Sequence, residues 1–160
     1  MNEQCSDKAR AYFLDGYKKY YGSYMLQDFN KGRHYLIEGK VKIWFVFKKE
    51  HFKTFSYKFP ELIAKYPEYA GEGDSINTKM LTLAVNYGCK YIVFAHKEDA
   101  YYYADPLELL TFCADNDLKR VQDRSNSYRG LGGTRDNVHE YTYSFPLKLL
   151  KEWKFNERLE

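Results

Sequence analysis

The run Lys42-Ile43-Trp44-Phe45-Val46-Phe47-Lys48 constrains the fold more than any other stretch of this chain. Unbroken apolar side chains between flanking lysines do not alternate as a surface strand does, and the run is too short for a buried helix. A strand that is apolar on both faces must be covered on both faces, so this one belongs at the centre of a sheet. The 160 residues suffice for one such domain with a sizeable core.

The flanking sequence predicts the covering layers. Ser6 can cap a first helix with Ala9, Tyr12, Phe13, Tyr17 and Tyr20 on one face, closed at Tyr21-Gly22. Residues 23–29 read as a short strand, Asn30-Lys31-Gly32 as a turn, residues 34–37 as a second strand, and Glu38-Gly39-Lys40 as a tight turn or strand end. Beyond the central strand, a short helix is expected around 61–65 between Pro60 and Pro67. A loop through Gly71-Glu72-Gly73-Asp74-Ser75 then feeds a helix capped by Asp74 or Ser75, with Ile76, Met80, Leu83, Ala84 and Tyr87 as its stripe and Gly88 as its end. Residues 91–95 and 100–104 suggest a hairpin around Lys97-Glu98-Asp99. Asp105-Pro106-Leu107-Glu108 has the form of a helix start, with Leu107, Leu110 and Ala114 on the buried face. Residues 116–137, rich in Ser, Asn and Gly, read as a flexible loop bearing Arg120, Arg124, Arg129 and Arg135 around Tyr128. Tyr141, Tyr143 and Phe145 alternate as a last strand, and Pro146 opens a closing helix through Leu147, Leu150 and Trp153. The expectation is a single α+β domain over 1–160. Its mixed central sheet has about five strands flanked by helices, and residues 138–155 form an appended strand and helix.

The net charge of +3 is modest, but its distribution is uneven. Between Lys31 and Lys58, the bases Lys31, Arg33, Lys40, Lys42, Lys48, Lys49, Lys53 and Lys58 face only Glu38 and Glu50. Such an excess suits either a phosphate-facing surface or a solvated edge strand kept soluble by lysine. The 17 tyrosines and 11 phenylalanines suit half-buried sites, interfaces and base stacking alike. Cys5, Cys89 and Cys113 are widely spaced without a Cys-x-x-Cys, and His34, His51, His96 and His139 show no metal-ligand spacing. That pattern argues for a reducing, intracellular setting and against a disulfide framework or zinc site. No apolar run approaches a membrane span and the chain starts nothing like a signal peptide, so no membrane partner is expected. Cys89 and Cys113 lie beside predicted core positions, and no Gly-x-Ser-x-Gly occurs to support nucleophilic catalysis.

One constellation proposes a chemistry. Asp28 precedes Glu38-Gly39-Lys40 by ten residues, between a predicted helix and the central strand. Phosphodiester hydrolysis needs a divalent ion to polarise the phosphoryl group and activate water. Magnesium is held by one or two carboxylates with waters, and a nearby lysine can stabilise developing charge. Asp28 and Glu38 on adjacent strands, with Lys40 two residues after Glu38, would supply those parts. The structural alternative is a charged hairpin turn beside a strand-end surface acid.

Through Asp28, Glu38-Gly39-Lys40 and the helix–three strands–helix–strand order of residues 7–95, the chain resembles the PD-(D/E)XK nuclease superfamily. The resemblance implies a mixed sheet flanked by helices and magnesium- or manganese-dependent (Mg2+ or Mn2+) cleavage of DNA, often by a homodimer. In it Asp28 and Glu38 would hold the metal, assisted by Lys40 or Lys48. Gln27 stands where the family often has Pro. In addition, the family's Glu-x-Lys usually lies within the central strand, where this chain has Val46-Phe47-Lys48; that registration keeps only Lys48. Glu72 and Asp74 are alternate acids; the structural alternative is that Asp74 or Ser75 caps the helix and Glu72 complements its dipole. Lys31, Arg33, Lys42, Lys49, Arg124, Arg129 and Arg135 are the candidate DNA-backbone contacts. The alternative function is a binding module without catalysis, for nucleic acid or protein. A compact Tyr/Lys/Asn-rich chain of this kind would fit a mobile-element or viral product.

Overall fold

The computed structural model describes residues 3–30, 32–48, 53–54, 59–97, 100–123 and 139–153. Helix α1 (Glu3–Tyr21) leads into strands β1 (Met25–Asp28), β2 (His34–Glu38) and β3 (Ile43–Phe47). Then come β4 (Lys53–Thr54), α2 (Pro60–Lys65), β5 (Glu72–Asn77), α3 (Thr78–Asn86), β6 (Tyr91–Lys97) and β7 (Ala100–Ala104). The last elements are α4 (Pro106–Asp115), β8 (Lys119–Asp123), β9 (His139–Pro146) and β10 (Lys151–Trp153). The α+β class is as expected, with two sheets in place of one: a six-stranded sheet ordered β1-β2-β3-β6-β7-β10 and a four-stranded sheet ordered β4-β5-β9-β8. In the larger sheet β3 and β6 run parallel and the other neighbours antiparallel.

β3 is central, as its composition requires. Ile43, Phe45 and Phe47 enter one buried cluster with Ala9, Phe13 and Tyr17 of α1, while Trp44 and Val46 enter the cluster on the opposite face. That second cluster joins Leu36, Ile92 and Phe94 of the large sheet to Leu81 and Ala84 of α3, Leu109 and Cys113 of α4, Ile76 of β5 and Phe145 of β9. The small sheet and two helices therefore cover one face, and α1 covers the other. Phe13 anchors the α1 side, its ring centroid 4.5 Å from those of both Phe45 and Trp153.

Local chemistry sets several boundaries. The α1 end at Tyr21-Gly22 has Gly22 at φ +92°, a conformation natural to glycine. Asp105 caps α4 as its sequence predicts, its carboxylate accepting from Leu107 N–H at 2.9 Å and Glu108 N–H at 3.1 Å.

Several expectations are corrected. Residues 72–77 form a strand rather than a cap-bearing loop, because β5 pairs with β9 from Gly73↔Pro146 to Asn77↔Thr142. The cap of α3 is consequently Asn77, which accepts from Lys79 N–H at 2.9 Å and Met80 N–H at 3.3 Å. On α4 the buried residues are Pro106, Leu109 and Cys113, while Leu107 is 58 % exposed. The closing helix is replaced by a single 3-10 turn, Leu147–Leu149, followed by β10 at the edge of the large sheet. Within the expected loop 116–137, residues 119–123 form β8 along β9; 124–137 lie outside the described residues, as does the Glu98-Asp99 turn. Among the described residues no helix is long and apolar enough to cross a membrane.

Candidate functional site

Asp28 and Glu38 do not converge. In the β1–β2 ladder Asp28 pairs with Tyr35 and Glu38 with Met25, at opposite ends. Three residues of strand separate those rungs, about 10 Å at the usual rise per residue, and an odd offset puts the two side chains on opposite faces. One divalent ion about 2.1 Å from a carboxylate oxygen of each is incompatible with this arrangement. The shared Asp28–Glu38 metal pair is therefore corrected: both acids have local structural roles instead.

Asp28 turns the hairpin. Its carboxylate accepts from Asn30 N–H at 3.0 Å and from Gly32 N–H at 3.1 and 2.9 Å. Gly32 follows at φ +88°, so the turn is an Asx-type device completed by glycine. Glu38 sits 3.9 Å from Lys42, both partly exposed, and Lys42 also donates to Tyr87 O at 3.0 Å. Lys40 is exposed in the turn. Gly39 has a steric reason to be glycine: a Cβ there would collide with the Tyr17 hydroxyl. That hydroxyl donates to Val41 O at 2.6 Å and accepts from Val41 N–H at 3.2 Å, docking α1 on the turn. Glu38-Gly39-Lys40 is thus a helix-docking turn.

The described candidate bases occupy both ends of the sheet. Exposed Arg33 precedes β2 at the carboxyl end of β3, where its carbonyl accepts from Phe47 N–H at 2.8 Å. Lys40 and Lys42 lie at the amino end, about 20 Å away by strand rise over residues 42 to 48. Lys31, Lys49, Arg124, Arg129 and Arg135 lie outside the described residues. Glu72 is exposed and opens β5 opposite Thr54.

What the fold does bring together is the second lysine and the second alternate acid. Lys48 follows β3 directly and stays in register with β6, its N–H donating to Ala95 O at 2.9 Å. Its side chain leaves the sheet on the Trp44–Val46 face by strand alternation. There Nζ lies 3.1 Å from Asp74 Oδ1, with only 19 % and 6 % of the two side chains exposed. Nζ also donates to Ser75 O at 2.6 Å, and Asp74 Oδ1 accepts Ser75 N–H at 2.8 Å. Asp74 and Ile76 share a face of β5; Ile76 enters the core and Asp74 meets Lys48 at the rim, so the ion pair ties the two sheets together.

His34 joins this centre from β2. It opposes Val46, is 6 % exposed, and its Nδ1 accepts from Trp44 Nε1–H at 2.9 Å. Burial pushes its pKa down to about 3, helped by the charges of Lys48 and Arg33 and opposed by Asp28. His34 is therefore a neutral imidazole throughout the physiological range. Sequence spacing gave no sign of it, because its partners lie across strands rather than along one.

Cys89 and Cys113 are buried and are not poised as thiolates. Burial pushes Cys89 and Cys113 up to about 12, far from the range of reactive thiols. Among the described residues no group of three His, Cys, Asp or Glu is placed to hold a metal ion. Comparison of the chain with protein-family models, curated proteins and solved structures finds no match.

Proposed function

We propose that this chain handles nucleic acid as a divergent, PD-(D/E)XK-type, metal-dependent endonuclease whose acid has moved off the central strand. The observation that carries the reading is the Lys48–Asp74 pair, 3.1 Å apart at the carboxyl end of the central strand. Lys48 occupies the lysine position of the Val46-Phe47-Lys48 registration, and Asp74 supplies from β5 the carboxylate that position 46 lacks. The order α1, β1–β3 and then, after β4, α2 and β5, α3 and β6, with β6 returning parallel beside β3, supports the same reading. So does the site's location, since the carboxyl ends of parallel strands are where open sheets usually bind ligands.

In this reading Asp74 provides the hard oxygen that magnesium or manganese prefers. The ion, when bound, polarises the phosphoryl group and acidifies a water. Lys48 stabilises the charge that grows on phosphoryl oxygens as water oxygen bonds to phosphorus and the leaving oxygen departs. Arg33, on the same end of the sheet, contacts the backbone of DNA.

A second reading, a binding module without catalysis, is favoured by one observation: Lys48 and Asp74 already spend hydrogen bonds on protein partners. The two separate on supercoiled DNA incubated with manganese, magnesium or EDTA. The nuclease reading expects nicking in metal, none in EDTA, and a loss of about 100-fold or more in Lys48→Met. DNA binding that weakens steeply with salt and ignores chelator, without nicking, would establish the binding module instead.

A further inference from the structure

Two donors in the His34–Lys48–Asp74 centre have no acceptor among the described residues. Because His34 Nδ1 accepts the Trp44 indole N–H, the ring proton must sit on Nε2, which makes Nε2–H a donor in a residue only 6 % exposed. Lys48 Nζ carries three hydrogens and directs two toward Asp74 Oδ1 and Ser75 O, leaving a third. Both residues project from the same face at the same end of adjacent strands. His34 opposes Val46 and Lys48 lies two residues beyond, a diagonal relation of roughly 7–8 Å between backbones that long side chains can close. An unspent donor as buried as His34 Nε2–H is rare in native proteins and calls for a ligand, water or ion.

We infer that His34, its ring proton held on Nε2 by the Trp44 contact, is a hydrogen-bond donor which, with the remaining Nζ–H of Lys48, binds one oxygen of a tetrahedral oxyanion of the phosphate type. The inference names the ligand group of the site proposed above and rests on that reading for its location. An acceptor oxygen with two lone pairs can take a hydrogen bond from each of these two donors. Protonating His34 would set an imidazole N–H against the indole N–H, so the donor stays neutral and singly protonated. The charged groups around it are Lys48 beyond β3, Arg33 before β2, Asp28 at the end of β1 and Asp74 on β5. Arg33 and Lys48 oppose a cationic ring, and Asp28 favours one.

Sulfate is the probe, because its charge is constant between pH 5 and 8. Expected on titrating sulfate into 15N-labelled protein is a shift of the His34 Nε2 resonance, with an affinity unchanged by His34 across that range. His34→Gln keeps the arrangement, its Oε1 accepting from Trp44 and its amide N–H donating, and should bind sulfate nearly as well. His34→Leu should bind roughly tenfold more weakly, the worth of one hydrogen bond. A wild-type spectrum in which His34 ignores sulfate, or titrates near pH 6.5, overturns the inference even if the variants fail to fold; so does His34→Leu binding as wild type. A duplex oligonucleotide that displaces sulfate identifies the oxyanion as a DNA phosphate. Sulfate binding through His34 without displacement keeps the oxyanion site and overturns the nucleic-acid reading alone.

Discussion

Single residues here decide between chemistry and architecture. Gly39 is the middle residue of what reads as a catalytic Glu-x-Lys, and its role is to admit the Tyr17 hydroxyl. Gly39→Ala should therefore destabilise the fold by about 1–3 kcal/mol, the usual cost of overpacking. An unchanged urea midpoint would show that the helix–turn contact yields freely. His34 makes a prediction with a definite sign. Its folded pKa, about 3, lies below the ordinary 6.5, so between those values the unfolded chain binds the extra proton. The stability linked to neutral His34 is full above pH 6.5 and is lost as pH falls toward 3. From pH 7 to pH 5 this one group should remove about 2 kcal/mol. His34→Gln should lack that component, so the wild-type loss over this interval should exceed the variant's; equal losses in urea titrations would refute the assignment. The turn at Glu38-Gly39-Lys40 was legible along the chain; its contact with Tyr17 and the character of His34 were not. Lys48 and Asp74 each stood out in the sequence, but their pairing depends on two sheets meeting, and His34 owes its character to a tryptophan on the next strand.

At the scale of elements, legibility followed the reach of the forces involved. β3 and α1 were readable because apolar patterning over one stretch specifies them, and the α4 start because Asp105 and Pro106 act locally. β5 was not readable. Gly73, Asp74 and Ser75 are turn formers by intrinsic preference, and pairing with β9 overrides that preference. β10 failed for a related reason. Leu147, Leu150 and Trp153 have near-helical spacing, yet the chain makes one 3-10 turn and then delivers Trp153 to Phe13 along the sheet edge. The shift of the α3 boundary is directly testable. Asn77→Ala should cost about 1 kcal/mol through loss of the cap, whereas Ser75→Ala, which leaves the backbone hydrogen bonds of residue 75 in place, should cost far less. Equal effects would return the cap to the position expected from sequence.

For the whole molecule, the two-faced strand predicted layers on both sides, and that requirement also generates the site. Covering the second face of β3 with a second sheet brings β5 over the end of β3, and Asp74 over Lys48. The acid–lysine pair is a consequence of how the layers close. Its function has to be separated from its structural worth, since breaking a largely buried ion pair costs up to about 3–5 kcal/mol. Variants must therefore be compared where unfolding measurements show them fully folded. The most direct measurement is manganese-dependent nicking of supercoiled DNA by Asp74→Asn beside Asp28→Asn. The account predicts that Asp74→Asn abolishes nicking while Asp28→Asn, altered only in a hairpin turn, retains it. Nicking that survives Asp74→Asn and disappears in Asp28→Asn would contradict the strand-end site and return the chemistry to the hairpin.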